Sequence, residues 1–175
     1  MLVRMGRVSQ AQARENRKRI VETAARLFRE RGVAGVSVAD VMTEAGLTHG
    51  GFYKQFASKE ALVAEAVGQA FAELSETLQD QDRDDFVRGY LSPAHRDHPG
   101  PGCAAAGFGG DMAHQEAGAA VQAYAQGIGL YAAQLGSLAD VATLVGAMVL
   151  ARATAGTELS DRILDEVRAK LVSGA

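Results

Sequence analysis

With 175 residues, 47% of them hydrophobic, the chain is long enough to bury a sizeable core. Its single cysteine excludes an intramolecular disulfide, and its most apolar run, 141–151, is far shorter than the ~20 residues needed to cross a bilayer. The net charge of −3 hides a division: residues 1–60 hold 11 Lys/Arg against 6 Asp/Glu, whereas residues 61–175 hold 7 against 15. Such a basic head and acidic body suit a protein that presents one end to a polyanion.

Residues 1–13 carry Arg4 and Arg7 but no apolar run. They read as a frayed arm, not a secretory signal, with either arginine able to enter a minor groove. From 17 to 32, Ile20, Ala24, Leu27 and Phe28 recur at helical spacing. Next, Ser37 is placed to cap a short helix, with Asp40 at the capping-box position and Val36 stapled onto Val41. Gly46 supplies the left-handed residue that ends this helix, Leu47 plugs the turn, and Thr48 caps a second short helix running to Gln55. Phe52 and Phe56, at i and i+4, face inward and leave His49, Gly50, Tyr53 and Lys54 free. Two short helices around a tight turn form a helix-turn-helix, and the pattern points to DNA.

Ser58 caps a long helix from Lys59 to about Gln79, with an apolar stripe from Leu62 to Leu78. The acidic run 80–85 breaks the pattern, and Phe86, Val87, Tyr90 and Leu91 resume it briefly. Residues 93–110 hold all three prolines and five glycines, which predicts a loop or short helical pieces. One or two helices follow over 111–135. Ser137 or Asp140 begins the next helix, and Ser160 is expected to cap the last one, with Leu159 stapled onto Leu164.

The stretch 47–62, LTHGGFYKQFASKEAL, resembles the recognition region of the tetracycline-repressor (TetR/AcrR) family of bacterial transcription regulators, and RKRIVETAARLFRERG at 17–32 resembles that family's first helix. The resemblance is specific over about residues 14–67 and looser beyond, where Pro-Gly-Cys at 101–103 and LVGAMVLARA at 144–153 are similar to regulatory-domain segments. It implies an all-α fold, with an N-terminal arm and three-helix helix-turn-helix DNA-binding domain over 1–58 and a helical ligand-binding and dimerisation domain over 59–175. It also implies a cytoplasmic repressor that binds a palindromic double-stranded operator as a homodimer and is released by a small-molecule inducer. The chain is short for this family: the link from Leu135 to Val141 is abrupt and the segment after Leu78 is clipped, as in a compact member or a sequence lacking some residues.

By the same resemblance the DNA-binding residues are Arg17, Ser37, Thr48, His49, Gly50, Gly51, Tyr53, Lys54 and Lys59. Thr48, His49, Gly50 and Lys54 fall near base edges or flanking phosphates, with Tyr53 and Lys59 as backbone clamps. Gly50 and Gly51 each cost a helix roughly 1 kcal/mol relative to alanine, and close approach to DNA is a candidate compensation. Helices 138–155 and 161–172 are assigned to an intersubunit four-helix bundle through Val141, Leu144, Val145, Met148, Ile163, Val167 and Leu171. Candidate ligand-lining residues are Tyr90, Cys103, Phe108, Met112, Tyr124, Tyr131 and Met148, a mostly apolar set with phenol handles that core packing explains equally well.

An alternative signal is oxidant or electrophile sensing through Cys103, set against an inert thiol with no Lys or Arg close in sequence. His95, His98, Cys103 and His114 match no strong zinc spacing, so no metal or other cofactor is expected. The GxGxxA strings at 100–105 and 127–132 follow no strand, and GxSxG, Walker A and HExxH are absent. Neither an enzyme nor a membrane partner is expected.

Overall fold

The computed structural model describes residues 10–173, and their regular structure is entirely helical. Helix α1 (Gln10–Arg31) begins two turns before the expected start at Arg17. Its first residues, QAQAREN, are mostly strong helix formers, and Gln12 Nε2 donates to Asn16 Oδ1 at 3.0 Å. Propensity thus extends the helix past its apolar stripe, so the expected arm is helical from Gln10, while Arg4 and Arg7 lie outside the described residues.

Gly32, at φ 72°, closes α1 with its amide on the Phe28 carbonyl at 2.9 Å. Helix α2 (Val38–Glu44) starts with the expected capping box: Asp40 N donates to Ser37 Oγ at 3.1 Å, and Ser37 N donates to Asp40 Oδ2 at 2.8 Å. Such a cap contributes about 1 kcal/mol. Gly46, at φ 66°, turns the chain into a 3-10 helix (His49–Lys54). Helix α3 (Lys59–Gln79) follows, with Ser58 Oγ accepting from Ala61 N at 3.2 Å.

The acidic run does more than break a pattern, since Asp82 caps α4 (Arg83–Tyr90). Residues 93–110 take the form of short helical pieces instead of a loop. They hold α5 (Pro93–Asp97) and the start of α6 (Ala104–Ala113), with the Pro-Gly repeat confined to the connection. Pro93 sits in the first turn of α5, where its missing N–H is no loss, and Ala104–Ala106 favour α6. Helix α7 (Ala119–Leu135) ends at Gly136, φ 113°, and Ser137 caps α8 (Leu138–Ala153), so two residues suffice for the abrupt link. Helix α9 (Glu158–Ser173) begins before Ser160. Ser160 is therefore no cap: its buried hydroxyl donates to the Ala151 carbonyl at 2.7 Å, and Leu159 is half exposed instead of stapled.

The core is continuous through both halves of the chain, from Phe28, Val41 and Phe52 to Phe71, Phe108, Tyr131, Leu144 and Leu164. Each large, wholly buried side chain contributes about 1.5–3 kcal/mol. Helix α7 packs closely on α3 because Gly127 has no side chain; a β-carbon there would lie 2.3 Å from the Phe71 ring. Helix α1 rests on α3 and α6, which seats the head on the body. Among the described residues no single helix is long and apolar enough to cross a membrane.

Candidate nucleic-acid interface and body cavity

The segment that follows the turn is pinned from beneath. Phe52 is fully buried and stacks on Phe56, with ring centroids 5.5 Å apart. Thr48 occupies the cap position, but its hydroxyl makes no capping bond. Among the described residues, His49, Gly50, Tyr53 and Lys54 are exposed together on one short helix, Tyr53 at 68%. Tyr53 is steadied by edge contacts with Phe52 and His49, at centroid distances of 5.2 and 6.4 Å. Pinned apolar residues thus hold a small group of polar side chains toward solvent.

Four other expected DNA-binding residues have tertiary or packing roles. The Arg17 guanidinium lies 4.1 Å from the Phe56 ring centroid, donates to the Gln55 carbonyl and pairs with Glu65. It clamps the end of this segment to α3, with two of its five N–H donors engaged. Ser37 gives its hydroxyl proton to Asp40 at 2.6 Å and its amide proton to the same carboxylate. These bonds hold the Asp40 carboxyl below its usual range. Gly51 is half-buried, and a β-carbon on it would meet Met42 Cε at 3.6 Å, so this position packs against α2. Lys59 donates to the Val33 carbonyl at 2.6 Å, which leaves two ammonium protons for another acceptor. The amide of Val33 is bonded to Asp111 of α6 at 3.1 Å, so the α1–α2 turn is held by the body from two sides.

A cavity of about 280 Å³ lies where α1, α3 and α4 meet the segment 95–103. Of the expected ligand residues only Tyr90 and Cys103 line it. Phe108, Met112, Tyr131 and Met148 are buried in the core, while the Tyr124 hydroxyl donates to the Ala105 carbonyl at 2.8 Å. Sequence reasoning missed Arg29, Glu73, Leu74, Phe86 and His95 in the lining. Arg29 is nearly buried; its Nε donates to the Gly100 carbonyl at 2.7 Å, and Nη2 pairs with Glu73 at 3.2 Å. The available signal was glycine: a β-carbon at Gly107 would lie 2.7 Å from Arg29 Cγ.

His95 fixes the lip of this cavity. Its Nε2 accepts from Cys103 N at 3.1 Å, so the neutral ring donates from Nδ1 to the Tyr90 carbonyl at 2.7 Å. Burial holds its pKa below the usual histidine value, keeping Nε2 free to accept. Cys103 is only 3% exposed. Burial pushes its thiol up, outweighing the neighbouring Tyr90 hydroxyl, which lies close without making a well-formed hydrogen bond. A buried thiol with a raised pKa has little thiolate to react, which weighs against a sensor role.

The expected dimer residues divide in the same way. Val141, Leu144, Met148 and Leu171 are buried in the chain's own core, while Val145, Ile163 and Val167 are partly buried. The apolar side chains that α8 and α9 leave exposed are Leu138, Val149, Leu150 and Leu159. Helix α8 is apolar on both faces, and only packing decides which one turns inward.

A helix-turn-helix head with exposed polar residues, seated on a helical body, has the form of a DNA-binding module. Residues 20–66 match the family model described as bacterial regulatory proteins, tetR family. The likeness to that family is carried by these residues, about a quarter of the chain. It is 40% identical over 52 residues to the uncharacterized HTH-type transcriptional regulator YerO of Bacillus subtilis, a stretch covering 30% of this chain and 18% of the relative. It is 42% identical over 59 residues to the HTH-type transcriptional regulator TtgR of Pseudomonas putida, covering 34% and 28%. The match thus spans less than a third of either relative. The whole fold is similar to that of a TetR-family regulator from Cytophaga hutchinsonii, with TM-score 0.73, 20% identity and coverage of 95% and 97% of the two chains. It is also similar to Escherichia coli NemR in its reduced form, with TM-score 0.67, 18% identity and coverage of 87% and 95%. YerO, TtgR and the Cytophaga hutchinsonii protein are named as transcriptional regulators.

Proposed function

We propose that residues 1–58 form the head and residues 59–175 the body of a cytoplasmic repressor. It binds a palindromic operator as a homodimer and is released when a small molecule, with no further cofactor, occupies the body cavity. The observation that carries this reading is the exposed group Thr48, His49, Gly50, Tyr53 and Lys54 on a segment pinned by Phe52 and Arg17, within the basic part of the chain. Thr48, His49 and Lys54 are suited to base edges and flanking phosphates, and Tyr53 and the two remaining Lys59 protons to the backbone. One such segment reads few base pairs. A twofold pair reads two half-sites about one helical turn apart.

The face available for pairing is the α8 stripe of exposed Leu138, Ala142 and Val149 with half-buried Val145 and Gly146, continued on α9 by exposed Leu159 and half-buried Ile163 and Val167. The cavity suits release, because its wall includes Arg29 of α1, an element of the head.

Two substitutions test the DNA-reading surface. Lys54→Ala is expected to weaken binding to all sequences alike and to reduce the slope of log K against log salt by about 1, as for one lost phosphate contact. An unchanged slope with altered base preference would move Lys54 to a base edge. Gly50→Ala meets no atom within 4 Å in the free chain. It is expected to hold or slightly raise the thermal midpoint, since alanine is favoured over glycine in a helix, while lowering operator affinity, and unchanged affinity would remove the close approach of DNA at Gly50.

A further inference from the structure

Beside the cavity, two tyrosine hydroxyls make no well-formed hydrogen bond, although the Cys103 thiol lies close to that of Tyr90. Tyr90 Oη and Tyr131 Oη make no hydrogen bond among the described residues, although the residues are only 4% and 1% exposed. Both rings pack on Phe86, at centroid distances of 5.7 and 6.2 Å, and Phe86 and Tyr90 line the cavity. Buried polar groups are nearly always paired, so two orphans around one ring call for an explanation.

Behind the same wall lies a cation with no carboxylate partner among the described residues. Arg152 of α8 stands directly behind Gly102, where a β-carbon would come within 2.9 Å of Nη2. Its guanidinium donates to the carbonyls of His95 and Arg96, at 3.0 and 3.1 Å, and pairs with no carboxylate among the described residues. Arg29, by contrast, is neutralised by Glu73. Tyr90 thus lines the cavity, Tyr131 packs behind Phe86 and Arg152 behind Gly102, while Ala70, Leu74 and Phe86 supply an apolar wall.

We propose that this cavity takes a small organic acid, its anionic oxygen bonded by the Tyr90 and Tyr131 hydroxyls in the field of Arg152 and its apolar body against Ala70, Leu74 and Phe86. The inference rests on reading the cavity as the effector site. The volume of about 280 Å³ fits one ring or a short chain, at the small end of ligand sites. Both hydroxyls are shielded from solvent, so the acid reaches them through a shift of the Phe86 ring on which both tyrosines pack.

The test titrates benzoate, and acetophenone as its neutral counterpart, into the full chain without DNA, followed by calorimetry. Benzoate is expected to bind at least tenfold more tightly than acetophenone. Tyr90→Phe and Tyr131→Phe are each expected to weaken benzoate roughly tenfold or more, without lowering the thermal midpoint. No benzoate binding, equal binding of the two probes, or affinity unchanged in both variants would overturn the proposal. Benzoate binding that leaves operator affinity untouched keeps the ligand class and removes the effector reading. Operator release by a molecule with no acidic oxygen, undiminished in Tyr90→Phe, does the reverse.

Discussion

Phe52→Ala is expected to lower the thermal midpoint by about 6–20 °C and to abolish operator binding. Phe52 is wholly buried between the recognition segment and the rest of the head, stacked on Phe56 and in edge contact with Tyr53. Truncating such a ring costs about 3–5 kcal/mol, the lost transfer energy plus the cavity left behind, and a chain of this length converts each kcal/mol into about 2–4 °C. The six-residue 3-10 helix above it has too few hydrogen bonds to hold its shape alone. The neighbouring Tyr53→Ala separates the two roles. Tyr53 is 68% exposed, so its loss should shift stability by less than about 0.5 kcal/mol while still weakening DNA binding. If Phe52→Ala melted like the parent chain, the packing account of the head would be wrong.

Leu138→Glu combined with Val149→Glu is expected to convert the protein to a monomer and to lower specific operator affinity by more than about a hundredfold. The two side chains lie eleven residues apart on α8, three turns along one stripe, and are 64% and 46% exposed in the single chain. Under twofold symmetry each substitution acts twice, so it withdraws about 3–6 kcal/mol of apolar burial from the dimer and places two carboxylates there. The isolated chain loses almost nothing, because neither residue belongs to its core. Sedimentation at micromolar concentration reads the result. A variant that sediments as the parent does would place the pairing face elsewhere.

Legibility in the sequence followed the range of each interaction. Ser37, Ser58 and Ser137 were recognisable as caps because a cap acts within three residues, and Gly46 marked its turn because few other residues adopt a positive φ. Phe52 and Phe56 were legible as the anchors of the recognition segment from their spacing alone. Helices α5 and α6 were hidden because the Pro-Gly cluster between them dominates the local composition, although Pro93 sits where a helix tolerates proline.

The inward face of α8 was not legible, since Val141 and Val149 are alike in sequence and one is 3% exposed, the other 46%. Arg17 was expected at DNA and Arg29 and Arg152 carried no expectation, yet each closes a contact 38 or more residues away. Long-range contacts of this kind define the cavity, which explains why only Tyr90 and Cys103 of its lining were anticipated. Ser160 was misplaced for the same reason: its hydroxyl is satisfied by Ala151 and Arg96 of other helices instead of by the start of its own.

The most direct measurement is binding of the purified chain to the DNA flanking its own coding region, titrated with salt and compared with random DNA of equal length. The account predicts tight, salt-dependent binding to a palindrome with two chains per site. Equally weak binding to both fragments across the salt range would contradict it.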